Sequence, residues 1–477
     1  MIFNSYEYVV FFVLVFLIYW FVVNKNLRLQ NLFLLAASYL FYGWWDWRFL
    51  FLLIFSTLLD FFTGQMIHQS TTQSRKKMWL VISVGVNLGF LGFFKYYNFF
   101  AHSFADMLGS MGIQANPASL SLILPIGISF YTFHGLSYVL DIYNGRCKPT
   151  NNPIDYSVFV GFFPLLVAGP IERASHLLPQ VQQPRIFSPA QATDGLRQIL
   201  WGVFKKIAIA DICAPQVNEI FATYQSQPAS VLLLGAVLFA FQIYGDFSGY
   251  SDIALGSARL LGFDLLRNFA FPYFSRDIAE FWRRWHISLS SWFKDYLYIP
   301  LGGSRGSRWV AARNTMIIFV VSGFWHGANW TFIAWGFLNG LYFLPLLLAT
   351  RNRTNIGIVA EGRLLPSLSD LLHMGLTFLL VLVGWIFFRA TNISHALGYL
   401  GGMTHFDNLW PIPIQYLRPL LFISIMLVVE WFQRTKQHGL EFDQFASRPV
   451  RWAIYFLIIL LTLNYFQQNQ QFIYFQF

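Results

Sequence analysis

The stretch Glu280-Phe-Trp-Arg-Arg-Trp-His-Ile-Ser-Leu-Ser-Ser-Trp-Phe-Lys294 leads through the loop Leu301-Gly-Gly-Ser-Arg-Gly-Ser-Arg308 to Ser322-Gly-Phe-Trp-His-Gly-Ala-Asn329. It carries two histidines in unlike company. His286 sits among arginines, and His326 sits inside an apolar run that only a bilayer or a protein core tolerates. In the first segment Phe281, Trp285, Leu289 and Trp292 recur at helical spacing while Arg283, Arg284 and Lys294 fall off that stripe, which predicts one amphipathic helix at a membrane interface. Such a helix serves either as an anchor on lipid phosphates or as the entrance for an anionic substrate.

His326 lies about 13 residues beyond Arg313, roughly 20 Å at ~1.5 Å per helical residue, within a hydrocarbon core of about 30 Å. The run 315–349 is short for two complete spans and a turn, and Gly323 and Gly327 flank the histidine. A broken helix or short hairpin with His326 at the break follows. An imidazole at that depth marks either a reaction site or a buried hydrogen bond to a neighbouring helix.

The composition fits a membrane setting. Hydrophobic residues make up 56% of the chain and charged residues 11%, against about 25% charged in soluble domains, so the chain is read as an all-α integral membrane protein. Apolar runs recur at about 9–23, 31–45, 49–62, 79–94, 119–140, 203–221, 231–248, 315–349, 371–388, 418–433 and 452–466, several of them short, tilted or kinked. The run 156–168, bounded by Pro153 and Pro170, reads as re-entrant or buried. The net charge of +10 gathers at the ends of runs, Lys205 and Lys206 included, which is a topology signal and argues against nucleic acid. With these clusters in the cytosol, the amino terminus and the tail after Arg451 face outward. No signal peptide, soluble domain or internal repeat is evident, so the expectation is one membrane domain, 1–477, with an extracytoplasmic apolar tail, 467–477.

Other chemistries lack their signatures. Two cysteines and no His-Glu-x-x-His leave no metal shell to expect. The loop at 301–308 offers amides and two guanidiniums but no Gly-Lys-Ser/Thr, so triphosphate hydrolysis is unsupported; a phosphate-bearing thioester such as acetyl-CoA suits it better. Gly245-Asp-Phe-Ser-Gly249 lacks the spacing of a nucleophile elbow. Asp246 and Asp252 either support a site or mark the interface, with the interface preferred.

The motifs Phe281-Trp-Arg-Arg-Trp-His286 and Gly323-Phe-Trp-His-Gly327 resemble those of the membrane-bound O-acyltransferase family. So do Pro125-Ile-Gly-Ile-Ser-Phe-Tyr-Thr-Phe133, Gly169-Pro-Ile-Glu-Arg173, Tyr244-Gly-Asp-Phe-Ser-Gly-Tyr-Ser-Asp252 and Asp295-Tyr-Leu-Tyr-Ile-Pro-Leu-Gly-Gly303, with the bacterial polysaccharide O-acetylation branch the most similar. The resemblance implies a multi-span helical fold around a tunnel through a thin centre, with His326 as the central histidine and His286 as the second polar position. It implies an acetyl group taken from cytosolic acetyl-CoA, whose phosphates would meet Arg283, Arg284, Lys294, Arg305 or Arg308, and passed to an extracytoplasmic polysaccharide such as alginate through a partner transferase. The ending Phe472-Ile-Tyr-Phe-Gln-Phe477 resembles tails in which a tyrosine is an acyl relay, which points to Tyr474; a plug or anchor is the alternative. A transporter is the rival reading, disfavoured because each motif occurs once.

Overall fold

The computed structural model describes residues 1–117, 119–405, 413–442, 447–465, 470, 472 and 473. Those residues form helices and loops with no strand among them, as the apolar runs require, and the chain divides into two compact units. Unit 1 comprises 1–192 and 257–266; unit 2 comprises 193–256 and 267–477.

Unit 1 holds α1 (Tyr6–Phe21), α2 (Leu27–Gly43), α3 (Trp47–Gln69), α4 (Gln73–Leu91), α5 (Tyr97–Ser110), α6 (Ile128–Tyr143), α7 (Pro153–Gly161), α8 (Phe163–Leu166) and α9 (Ala174–Val181). Side-chain caps start α1 to α4, with Ser5, Asn26, Asp46 and Thr72 each accepting from an early amide. The run expected at 119–140 is a helix only from Ile128, because Gly127 takes a left-handed conformation (φ 74°) just before it. The short α7 and α8 are buried, as their length and bounding prolines implied. Polar groups join the apolar helices. Ser83 and Asn87 donate to Asp60 at 2.6 and 2.8 Å, and Ser56 donates to Asn87 at 2.6 Å.

Unit 2 takes up α10 (Pro189–Phe204) from residue 193, then α11 (Asp211–Ala222), α12 (Ala229–Leu260) as far as Gly256, α13 (Ile278–Arg284), α14 (Ile287–Phe293), α15 (Arg308–His326), α16 (Trp330–Leu348), α17 (Leu368–Arg389), α18 (Ile393–Gly402), α19 (Leu417–Phe432) and α20 (Arg448–Tyr465). Two π turns matter here, Lys205–Ala210 after α10 and Lys294–Tyr298 after α14. Glycines let α10 and α12 approach closely: a Cβ on Gly249 would stand 2.7 Å from the Gly202 carbonyl oxygen. That approach brings Lys205 to Asp252 (2.6 Å) and Lys206 to Asp246 (2.8 Å), while Asp211, at the start of α11, pairs locally with Lys206 (2.7 Å). Lys205 and Lys206 are therefore buried ion-pair partners and not surface topology markers, and Asp246 and Asp252 are their counter-ions rather than interface residues.

Across the described residues six helices are long and apolar enough to cross a membrane: Trp47–Gln69, Gln73–Ser110, Ala229–Leu260, Trp330–Leu348, Leu368–Arg389 and Ile414–Phe432. This is a multi-pass membrane protein.

Candidate active site

The site is built on the hairpin of α15 and α16 in unit 2. The helices cross where Gly323 meets Gly336, a Cβ on Gly336 lying 3.1 Å from the Gly323 Cα, and the Phe332 carbonyl fills the space a side chain at 323 would need. α15 stops at His326, Gly327 is extended, and Asn329 caps α16 by accepting from the Thr331 amide at 3.0 Å. The break falls at His326, as the flanking glycines suggested. The histidine is buried, edge-on to Trp335 at 5.0 Å and near Trp325 at 4.8 Å and Phe388 at 5.5 Å.

The single amphipathic helix expected across 281–294 is instead two short helices. The chain turns at Trp285-His286, where His286 adopts a left-handed conformation (φ 44°, ψ 55°) that costs a β-carbon residue of order 1–3 kcal/mol. Segment 268–270 enforces the turn: Ala270 N–H donates to the Arg284 carbonyl at 2.9 Å, Ile287 N–H to the Asn268 carbonyl at 2.9 Å, and Ser288 Oγ to Asn268 Oδ1 at 2.6 Å. The turn carries His286 into the interior of the unit. It is 1% exposed, edge-on to Phe247 at 4.7 Å, and neither ring nitrogen has a hydrogen-bond partner among the described residues. Burial pushes its imidazole down to about 3, so the ring is neutral at physiological pH.

His286 and His326 line one cavity of about 220 Å³, and the Trp325 ring lies 6.2 Å from the first and 4.8 Å from the second. The wall is mostly apolar, with Trp282, Trp285, Leu289, Phe293 and Phe319, and Ser290, Thr315 and Ser322 add hydroxyls. At Lys294, Tyr298, Ser304 and Arg353 this cavity shares its lining with a second of about 280 Å³, to which Gly302, Gly303 and Arg305 of the Gly-rich loop also contribute. The arrangement suits an acyl chain inside and an anion at the mouth.

Of the cations picked from sequence, Lys294 and Arg305 line these cavities. Arg283 is turned to the loop after α16, donating to the Asn352 and Asn355 carbonyls at 2.8 Å each. Arg284 pairs with the buried Glu280 at 2.8 Å, alongside Arg276 at 3.0 Å. Arg308 reaches the Leu348 carbonyl at 3.4 Å. Arg353 also lines both cavities; its place at the mouth depends on the fold of the 351–358 loop, and no local pattern announces it. The tryptophan cluster is equally hidden, since Trp285 comes from the turn between α13 and α14, Trp335 from α16 and Trp385 from α17, with Trp335 and Trp385 stacking at 5.8 Å and Trp285 5.0 Å from Trp385. Tyr474 lies outside the described residues.

Comparison with known proteins gives the class. The membrane-bound O-acyltransferase family model matches residues 149–370, which include both histidines and the mouth. A probable alginate O-acetylase of Pseudomonas aeruginosa is 41% identical over 398 residues, covering 83% of this chain and 73% of the relative. The chain belongs to the membrane-bound O-acyltransferase family and is a membrane O-acyltransferase. The peptidoglycan O-acetyltransferase of Helicobacter pylori is 32% identical over 95% of this chain and 92% of its own. A teichoic acid D-alanyltransferase of Streptococcus thermophilus is 30% identical over 51% of this chain and 62% of its own.

Proposed function

We propose that the protein takes an acetyl group from cytosolic acetyl-CoA and passes it across a bacterial cytoplasmic membrane for O-acetylation of an extracytoplasmic polysaccharide such as alginate, through a partner transferase. The observation that carries this reading is a single apolar cavity holding His286 and His326 behind a cationic mouth. The phosphates of the donor meet Lys294, Arg305 and Arg353, and the thioester reaches inward. His326 takes the proton of the acceptor hydroxyl, whose oxygen forms a bond to the acetyl carbonyl carbon. The carbon–sulfur bond then breaks and the departing thiolate receives the proton, giving free thiol and an acetyl ester. His286, neutral and with both ring nitrogens open to a ligand, donates a hydrogen bond to the carbonyl oxygen as charge develops on it.

The tail serves as the acceptor that carries the group onward. Tyr474 supplies the hydroxyl, and the partner transferase moves the acetyl group from it to the polymer. Support comes from names as well as geometry, since relatives that cover 83% and 95% of this chain are named for alginate and peptidoglycan O-acetylation.

The test is His326→Ala in cells and in purified protein. With membrane abundance matched to the wild type, acetyl transfer falls by about 10²–10⁴-fold, the span of general acid–base catalysis. Undiminished transfer sinks the assignment.

A further inference from the structure

Lys206 sits on the π turn after α10 with its side chain 1% exposed. Its ammonium is ion-paired with Asp211 at 2.7 Å and Asp246 at 2.8 Å, and it donates a hydrogen bond to the backbone carbonyl of Gln470 at 3.1 Å. Asp246 spends its other oxygen on the same piece of chain, accepting the Ile473 N–H at 2.6 Å. Two carboxyl groups share one ammonium in a buried place. The tail's amide supplies Asp246 with a further donor, and the tail's carbonyl completes the lysine. Without the tail backbone at Gln470 and Ile473 a buried cation would lose its carbonyl acceptor and a buried carboxyl its amide donor, both costly.

Between the two anchored backbone groups lies Phe472, 1% exposed, its ring 4.4 Å from Tyr250 and 6.3 Å from Phe247. Phe247 in turn meets His286 edge-on at 4.7 Å. The tail is thus one layer of side chain away from the wall of the reaction cavity, and Tyr474 is bonded directly to the anchored Ile473.

We propose that Lys206 and Asp246 are positioning residues for acyl transfer, holding the tail backbone at Gln470 and Ile473 against the wall that carries His286. The proposal rests on the reading above that the tail takes part in the transfer. The charge cluster is a clamp whose cargo is this chain's own carboxyl-terminal segment.

The experiment uses the full-length protein in lipid nanodiscs. Hydrogen exchange at the Ile473 amide is slow in the wild type and in Tyr474→Phe, and at least about tenfold faster in Asp246→Asn, the scale of a hydrogen bond to a charged acceptor. Ile473→Pro deletes the donated N–H and also trims a buried side chain. With acetyl-CoA as donor it lowers kcat for transfer about tenfold at unchanged KM. Ile473→Val trims the same buried side chain but keeps the N–H and its protection, and transfers at least about fivefold faster than the proline variant. A freely exchanging Ile473 amide in the wild type, or equal transfer by the proline and valine variants, overturns the clamp. Full transfer by Tyr474→Phe with Ile473 still protected and the proline variant still slow removes the relay and supports the clamp.

Discussion

His326 and Trp335 meet edge to face, ring centroids 5.0 Å apart and planes at 88°. The indole comes from the second arm of the hairpin and also stacks on Trp385 at 5.8 Å and 17°. The imidazole is therefore oriented by a ring that is itself fixed by a third helix. Trp335→Ala removes that support and lowers acyl transfer by about 100-fold through misplacement of His326. Trp335→Phe keeps an aromatic edge and retains most of the rate. Transfer by each variant, normalised to membrane abundance, checks this; equal losses would mean that the indole does something other than orient.

His286 carries a pH signature of its own. Burial lowers its folded-state value to about 3, whereas an unfolded histidine titrates near 6.5. The unfolded state takes up a proton below pH ~6.5 that the folded state refuses, so this residue's contribution is fully present above that value and lost as pH falls. Between pH 7 and 5 the wild type should lose up to about 2 kcal/mol more stability than His286→Asn, at most ~1.4 kcal/mol per pH unit. Thermal unfolding of both proteins in detergent at pH 7, 6 and 5 measures the difference. Equal pH dependence would mean that His286 is charged or solvated in the fold.

How much of this was readable in advance depends on the range of each interaction. The break at His326 was legible because Gly323 and Gly327 sit beside it in sequence, although Gly323 turns out to serve the helix crossing and only Gly327 leaves the helix. The helix across 281–294 was misread because its stripe spacing is sound on both sides of His286. What breaks it is pairing with Asn268 and Ala270, a tertiary constraint with no trace in the local pattern. Lys205 and Lys206 looked like topology charges since two adjacent lysines commonly are. Their partners Asp246 and Asp252 lie on another helix, one that only the glycine-lined approach brings near.

Arg283 and Arg284, neighbours in sequence, should separate in experiment. Glu280 is 1% exposed and holds Arg276 at 3.0 Å and Arg284 at 2.8 Å, and Arg276 and Arg284 also donate to the Gly357 carbonyl. Glu280→Ala strands two guanidiniums at the root of the loop that delivers Arg353, and should destabilise by about 3–5 kcal/mol. Arg283→Ala removes hydrogen bonds from an exposed side chain to backbone carbonyls, with a loss of about 1 kcal/mol. Detergent unfolding midpoints rank the two; a milder effect from Glu280→Ala would contradict the burial of the pair.

At the mouth, Lys294, Arg305 and Arg353 are exposed cations bordering shared cavity space, whereas Arg283 and Arg284 are committed to protein partners. A donor held there by its phosphates is bound equally in ground and transition states, so removing a cation weakens binding without slowing chemistry. Arg353→Glu should raise KM for acetyl-CoA by about tenfold or more, the worth of a charge-assisted contact, and leave kcat near its starting value. Arg305→Glu should act in the same direction, and in the wild type KM should climb as salt rises from 0.05 to about 0.5 M through screening of exposed charges. Steady-state kinetics at two ionic strengths decide the matter. An unchanged KM in Arg353→Glu would move the donor's phosphates away from this mouth, and a fall in kcat at constant KM would place Arg353 in the chemical step instead.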